Sequence, residues 1–268
     1  MMSPTERFYR RLLRQLRQRY GEVVGDIIFR EKSGAPAWVD FRNGLEEVFR
    51  WASIVQSGKI RYRALGEKIE LPGPIDEIEL GDLMDANPWL RGQSEVLFPI
   101  IAQQTDAVVD AEKTFVQEKA EAIKRNPKGL PLYRLEAVYR NTLATIVATS
   151  DQAQLADPDV GNAFPYFQYN TREDGRVRPT HRAMDGFVAL RQGEGLDIMR
   201  HVLPPAGFSC RCFAMYFGWS QAVRKGWAKA KGEPKWEFKW PSKKARMNYE
   251  AGLFPEWSEP RFVAPLEI

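Results

Sequence analysis

A chain of 268 residues suffices for one large domain or two modest ones, and its apolar fraction suits a real buried core. Fifteen Phe and eight Trp exclude disorder of the whole chain, and two cysteines exclude a disulfide framework. The formal charge of +4 is unevenly placed, with basic ends and an acidic stretch from Glu67 to Asp85, so distinct surfaces are expected rather than a uniform nucleic-acid coat.

The charged N-terminus lacks the apolar run of a secretory signal. No uninterrupted apolar stretch approaches the roughly 20 residues of a membrane span. The expectation is a soluble protein made in a reducing cytoplasm.

Ser3, Pro4 and Glu6 read as a helix start with a capping box. Phe8, Leu12, Leu13 and Leu16 follow at helical spacing, with Arg10, Arg14, Arg17 and other arginines around them, to an end near Gly21. A short helix is expected through Val23, Val24, Ile27 and Ile28. Residues 43–60 read as a helix, and the loose alternation over 60–71 predicts a strand. Leu71-Pro-Gly-Pro breaks the chain, and Asn87-Pro88-Trp89 reads as a turn. Helices are predicted over 106–125 and 132–155, the latter stopped at Asp157-Pro158-Asp159. Strands are predicted over 164–169 and 213–217, the second as the last. Glu173-Asp174-Gly175 is a tight turn, and Pro204-Pro205 with Gly207 marks an irregular loop. From Ser220 onward the chain reads as an extended basic arm with a short helix.

The fold class that follows is α+β: a mainly helical N-terminal part (1–105), a small antiparallel-sheet core with two long helices (106–218), and an extended basic C-terminal arm rich in Trp and Lys (219–268).

The densest motif string runs from Tyr139 to Cys212. It contains Tyr139-Arg140-Asn141-Thr142, Asp157-Pro158 and Pro165-Tyr166-Phe167-Gln168-Tyr169. Asp174-Gly-Arg176-Val-Arg178-Pro179-Thr-His181 and Asp185-Gly186 follow, and Pro204-Pro205-Ala-Gly207-Phe-Ser-Cys210-Arg211-Cys212 closes it. In order and spacing this resembles the phage Mu F-like family of minor head, or head morphogenesis, proteins. The resemblance implies a low-copy virion protein at the portal vertex inside the head, entering during assembly in the host cytoplasm. Its partners would be the portal protein and the major capsid protein, with packaged DNA as a further contact and no membrane.

Arg140, Asp174, Arg176, Arg178, His181, Asp185, Gly186, Cys210, Arg211 and Cys212 form the motif core. Two chemical readings of them stand beside a purely structural one. His181, His201, Cys210 and Cys212 are all the histidines and cysteines present, and they make up a two-Cys, two-His zinc set. Against it, Cys-x-Cys is tighter than the usual ligand gap, and the cysteines can equally pack as small apolar groups. His181 with an arginine suggests acid–base chemistry, but no convincing nucleophile accompanies them. No catalytic residue is assigned, and the expectation is a non-enzyme with no required cofactor. The alternative for the arginines is a polar network that fixes the loop.

Two basic regions lie outside the resemblance. Arg10, Arg14 and Arg17 suit phosphates or an acidic protein neighbour. Lys229, Lys235, Lys239, Lys243 and Lys244 are interleaved with Trp236 and Trp240. Such residues suit DNA, through phosphate contact and base stacking, or a protein partner, because Trp anchors interfaces. Protein docking is the preferred reading, DNA contact the second, and a host-delivered enzyme such as a nuclease or transferase the third.

Overall fold

The computed structural model describes residues 14–15, 18–20, 35–73, 78–125, 132–172, 174–207 and 210–255. The short helix expected over 23–28, and Arg10 and Arg17, lie outside the described residues. The chain divides into two compact units, Met1–Val55 with Ile69–Ile146, and Gln56–Lys68 with Val147–Ile268. Helices α1 (Ala35–Leu65) and α4 (Leu132–Leu155) each contribute to both.

The first unit is helical. It holds the first part of α1, then α2 (Leu80–Ala86), α3 (Trp89–Arg125) and the first part of α4. Along α1, Trp38, Phe41, Leu45, Val48 and Ala52 are buried three or four residues apart, with Phe49 beside Val48, which puts them on one face. Along α3 the buried stripe is Leu97, Ile101, Val108, Val109, Val116 and Ile123. Pro99 is exposed inside that helix, so the missing N–H falls on the solvent side. Phe49 stacks on Tyr139 of α4 with ring centroids 5.8 Å apart. The fully buried Glu112 accepts a hydrogen bond from the Tyr20 hydroxyl at 2.9 Å and pairs with Arg134 at 3.2 Å. A buried carboxylate is tolerable only when its charge is met in this way.

The second unit is built on a four-stranded sheet in the order β3-β1-β2-β6, antiparallel throughout. The strands are β1 (Tyr166–Asn170), β2 (Val188–Leu190), β3 (Phe213–Phe217) and β6 (Phe238–Lys239). Tyr166 pairs with Leu190 on one side and Phe217 on the other. Short helices α5 (Pro158–Gly161), α6 (Pro179–Ala183), α7 (Gly193–Val202), α8 (Trp219–Arg224) and α9 (Lys243–Glu250) connect and cover it. A separate small ribbon pairs β4 (Ala228–Ala230) with β5 (Glu233–Pro234).

Side chains alternate across a strand, and β1 uses both faces. Phe167 and Tyr169 enter the main core with Met184, Phe187, Ala189, Met199, Val202, Tyr216 and Phe254. Tyr166 enters a second cluster with Val188, Leu190, Phe217, Ala222, Trp227 and Ala228. The Tyr166 hydroxyl donates to the Trp227 carbonyl at 2.9 Å, which ties the tryptophan-bearing segment to the sheet.

Several elements differ from expectation in extent or kind. Residues 60–65 continue α1 instead of starting a strand, because Ile60 is buried in the main core on the helical face. Gly66, at φ +78, then ends the helix, its N–H bonding the Tyr62 carbonyl at 2.9 Å. The helix expected over 106–125 begins at Trp89. Phe213–Phe217 is not the last strand; β4, β5 and β6 follow it.

Candidate functional site

The segment between β1 and β2 is held by its own polar residues. Asp185 Oδ1 accepts from the Thr171 N–H at 2.6 Å and from the Thr171 hydroxyl at 3.1 Å, closing the base of the loop. Gly186 adopts φ +80, a conformation that favours glycine, as β2 approaches. Its N–H donates to the Tyr169 carbonyl at 2.9 Å. Asp174 Oδ1 accepts from the Arg176 N–H at 3.1 Å, a local turn bond of the kind aspartate favours. Asp174 also forms an ion pair with Arg211, and Arg182 donates to the Asp174 and Val177 carbonyls. Against desolvation, the Arg211 guanidinium and the Arg176 amide together hold the Asp174 carboxyl below its usual range.

Arg178 precedes α6, and Pro179 takes its first position, where a missing N–H costs nothing. That start turns His181 inward, to 1% exposure. Cys210 and Cys212 lie just before β3, and both sulfurs reach the same histidine. His181 Nδ1 is 3.5 Å from the Cys210 sulfur and 3.5 Å from the Cys212 sulfur. All three ligand atoms lie within 4.8 Å of one another. The Tyr169 hydroxyl is 3.3 Å from the same Nδ1. Phe254 packs edge-on against both His181 (5.1 Å between ring centroids) and Tyr169 (5.5 Å).

The thiols share a proton unequally. A hydrogen bond from Cys212, helped by His181, pulls Cys210 well below the ordinary thiol value. Giving that hydrogen bond to Cys210, together with burial, pushes Cys212 up. Burial and the two neighbouring sulfurs raise the Tyr169 phenol. Thiolate is the form of cysteine that binds metal.

His201 is elsewhere. It lies in the last turn of α7, where its Nδ1 is 2.9 Å from the Asp197 carbonyl oxygen. Arg140 is exposed on α4 in the first unit, and Arg14 is exposed in the N-terminal helical segment. Lys229, Lys235, Lys239, Lys243 and Lys244 are all exposed. Their tryptophan companions are occupied within the fold. Trp236 lies 5.9 Å from the Tyr166 ring, and Trp240 lies 4.8 Å from Phe187 and 5.2 Å from Tyr249.

Two buried residues escaped the sequence reading. Arg191 is fully buried and donates to the carbonyls of Leu155, Gly161 and Phe164. Tyr169 was read only as part of an aromatic strand. No periodicity marks the arginine, whereas the alternation of β1 does place Tyr169 inward.

The motif string, the loop it closes and the cluster beside it coincide with a family match. Residues 105–215 match the model described as phage Mu protein F like protein. This stretch is a phage Mu F-like region. It begins within α3 and ends within β3, so the cluster, the Asp174–Arg211 pair and the Asp185 clip all belong to the Mu F-like region. No curated protein matches the chain, and no solved structure does. Among the described residues, no helix is long and apolar enough to cross a membrane.

Proposed function

We propose that the protein is a structural, non-enzymatic component of a phage head, docking at the portal vertex inside it during head morphogenesis. The Mu F-like match over residues 105–215 carries this reading, since the family resemblance points to head morphogenesis and virion location. The polar motif residues support it too. Asp174, Asp185 and Arg211 are engaged in closing a loop, which is a use in folding. Docking on a symmetric vertex gains strength when more than one copy binds, each contributing a weak contact. The portal protein and the major capsid protein are the proposed partners.

Co-expression of the protein with a portal protein from the same phage tests the docking. Co-purification of the two is expected, as is loss of the protein from heads assembled without portal. Normal incorporation into portal-less heads would overturn the docking site.

Contact with packaged DNA is a second reading, favoured by the exposed Lys229, Lys235, Lys239, Lys243 and Lys244. With Trp236 and Trp240 packed in the fold, that contact would be to phosphates rather than by base stacking. Affinity for duplex DNA should then fall steeply with salt, and absence of binding at low salt removes this reading.

A further inference from the structure

Three groups converge on one nitrogen in the Mu F-like region. Cys210, Cys212 and Tyr169 all stand at hydrogen-bonding distance from His181 Nδ1. In either tautomer that nitrogen carries one in-plane lone pair or one N–H, so it can hydrogen-bond well to only one of the three. A cation at the centre of the group removes that conflict, because each surrounding atom then presents a lone pair.

We propose that His181 Nδ1 and the sulfurs of Cys210 and Cys212 bind a zinc ion, as a structural centre beneath Phe254. The separations fit. Zinc bonds of about 2.3 Å to sulfur and about 2.0–2.1 Å to nitrogen place the two ligand atoms about 3.5 Å apart on a tetrahedron. Both sulfurs lie 3.5 Å from Nδ1. An oxygen ligand at about 2.0–2.2 Å would stand about 3.3 Å from the nitrogen. The Tyr169 hydroxyl is 3.3 Å from Nδ1, a separation that suits a fourth ligand. The donor set is soft enough to prefer zinc over calcium or magnesium, which take oxygen ligands.

The setting is that of a staple. His181 comes from α6, the cysteines from the approach to β3, and Tyr169 from β1. Phe254, 1% exposed, closes the group from the far end of the chain. An ion here would join segments with no covalent link, much as a disulfide does in an oxidising compartment. His201 takes no part, being bonded within its own helix.

Metal analysis of the full chain, purified without chelator, is the test. One zinc per chain is expected in the parent and in His201→Ala, and none in His181→Ala or Cys212→Ser. Buried substitutions can fail to fold, so the parent is also stripped and reloaded with cobalt(II). An intense near-ultraviolet thiolate-to-cobalt absorption is the expected signature. A parent chain with neither stoichiometric zinc nor that absorption overturns the site. A Cys210–Cys212 disulfide in protein handled without oxidant overturns it as well, and so does loss of metal in His201→Ala. None of these readouts depends on head assembly, so failure here leaves the docking proposal untouched.

Discussion

Arg191 donates a hydrogen bond from Nη2 to the carbonyl oxygen of Leu155, 3.0 Å away, inside the core of the second unit. Its Nη1 reaches the Gly161 carbonyl at 2.7 Å and the Phe164 carbonyl at 3.0 Å. One guanidinium thereby satisfies carbonyls at the end of α4, the end of α5 and the lead-in to β1. Burial depresses its pKa to about 10, which still leaves it charged at neutral pH. Arg191→Met fills similar space but takes this donor from the Leu155 and Phe164 carbonyls, while the Gly161 carbonyl keeps the Phe164 N–H. A buried acceptor left without its donor typically costs about 1–3 kcal/mol. Urea unfolding should show a loss of that order for Arg191→Met. A loss under about 1 kcal/mol would mean that water replaces the guanidinium easily.

Legibility in the sequence followed the length of the pattern. The helix over 132–155 and the strand over 213–217 have the bounds expected from periodicity and breakers. The strand Val188–Leu190 is three residues long and buried throughout, so no alternation betrays it. Helix α6 is five residues, too short for an apolar stripe. Residues 60–65 misled because a helix tail that buries Ile60, half-buries Arg61 and Ala64 and exposes Tyr62, Arg63 and Leu65 is too short to show a helical stripe. Counting residue types offered His181 and His201 as metal ligands on equal terms. Only the turn started by Pro179, and the pairing of β3 with β1, separate them.

A buried carboxyl predicts how stability depends on pH. Burial pushes the Asp151 pKa up to about 7, although Gln56 Nε2 donates to its Oδ1 at 2.7 Å. An unfolded chain ionises this group near about 3.9. Between those values the folded state holds the extra proton, so stability falls as pH rises, and the loss is complete above the folded pKa. Asp151→Asn keeps an acceptor for Gln56 and removes the titration. The variant should be the more stable by a few kcal/mol near pH 8 and close to its parent near pH 4. Unfolding midpoints across that range check this, and parallel curves for the two chains would contradict it.

A close approach explains a glycine. A Cβ on Gly195 would run into the Glu237 carbonyl oxygen and stand 2.6 Å from the Leu190 carbonyl oxygen. Those atoms are backbone at the β2–β6 edge, where the Leu190 N–H donates to the Glu237 carbonyl at 2.6 Å. The Glu237 side chain meanwhile accepts from the Glu194 N–H at 2.7 Å, at the positive end of α7. Gly195→Ala must push α7 away from this edge, and overpacking of that kind costs about 1–3 kcal/mol. Gly175→Ala meets nothing within 4 Å and serves as the control, with little change expected in thermal unfolding. Equal effects of the two substitutions would remove the close-packing explanation.

The last prediction separates the two kinds of residue that the C-terminal segment interleaves. Trp240 packs on Phe187, Phe238 and Tyr249, so its ring holds β6 and α9 against the core. Truncating a packed aromatic costs about 3–5 kcal/mol, and partial exposure should bring Trp240→Ala toward the lower end. Lys235, Lys239, Lys243 and Lys244 are exposed, and exposed charges change stability little. Replacing these four lysines with Glu should therefore leave the unfolding midpoint within a few degrees, since about 0.5 kcal/mol is typical for such sites. If the segment docks on an acidic partner or on DNA, the same variant should lose attachment while remaining folded. Measuring unfolding and head incorporation together distinguishes the outcomes. A folded four-lysine variant that incorporates normally would place the docking surface elsewhere. An unfolded one would show that these charges are structural after all.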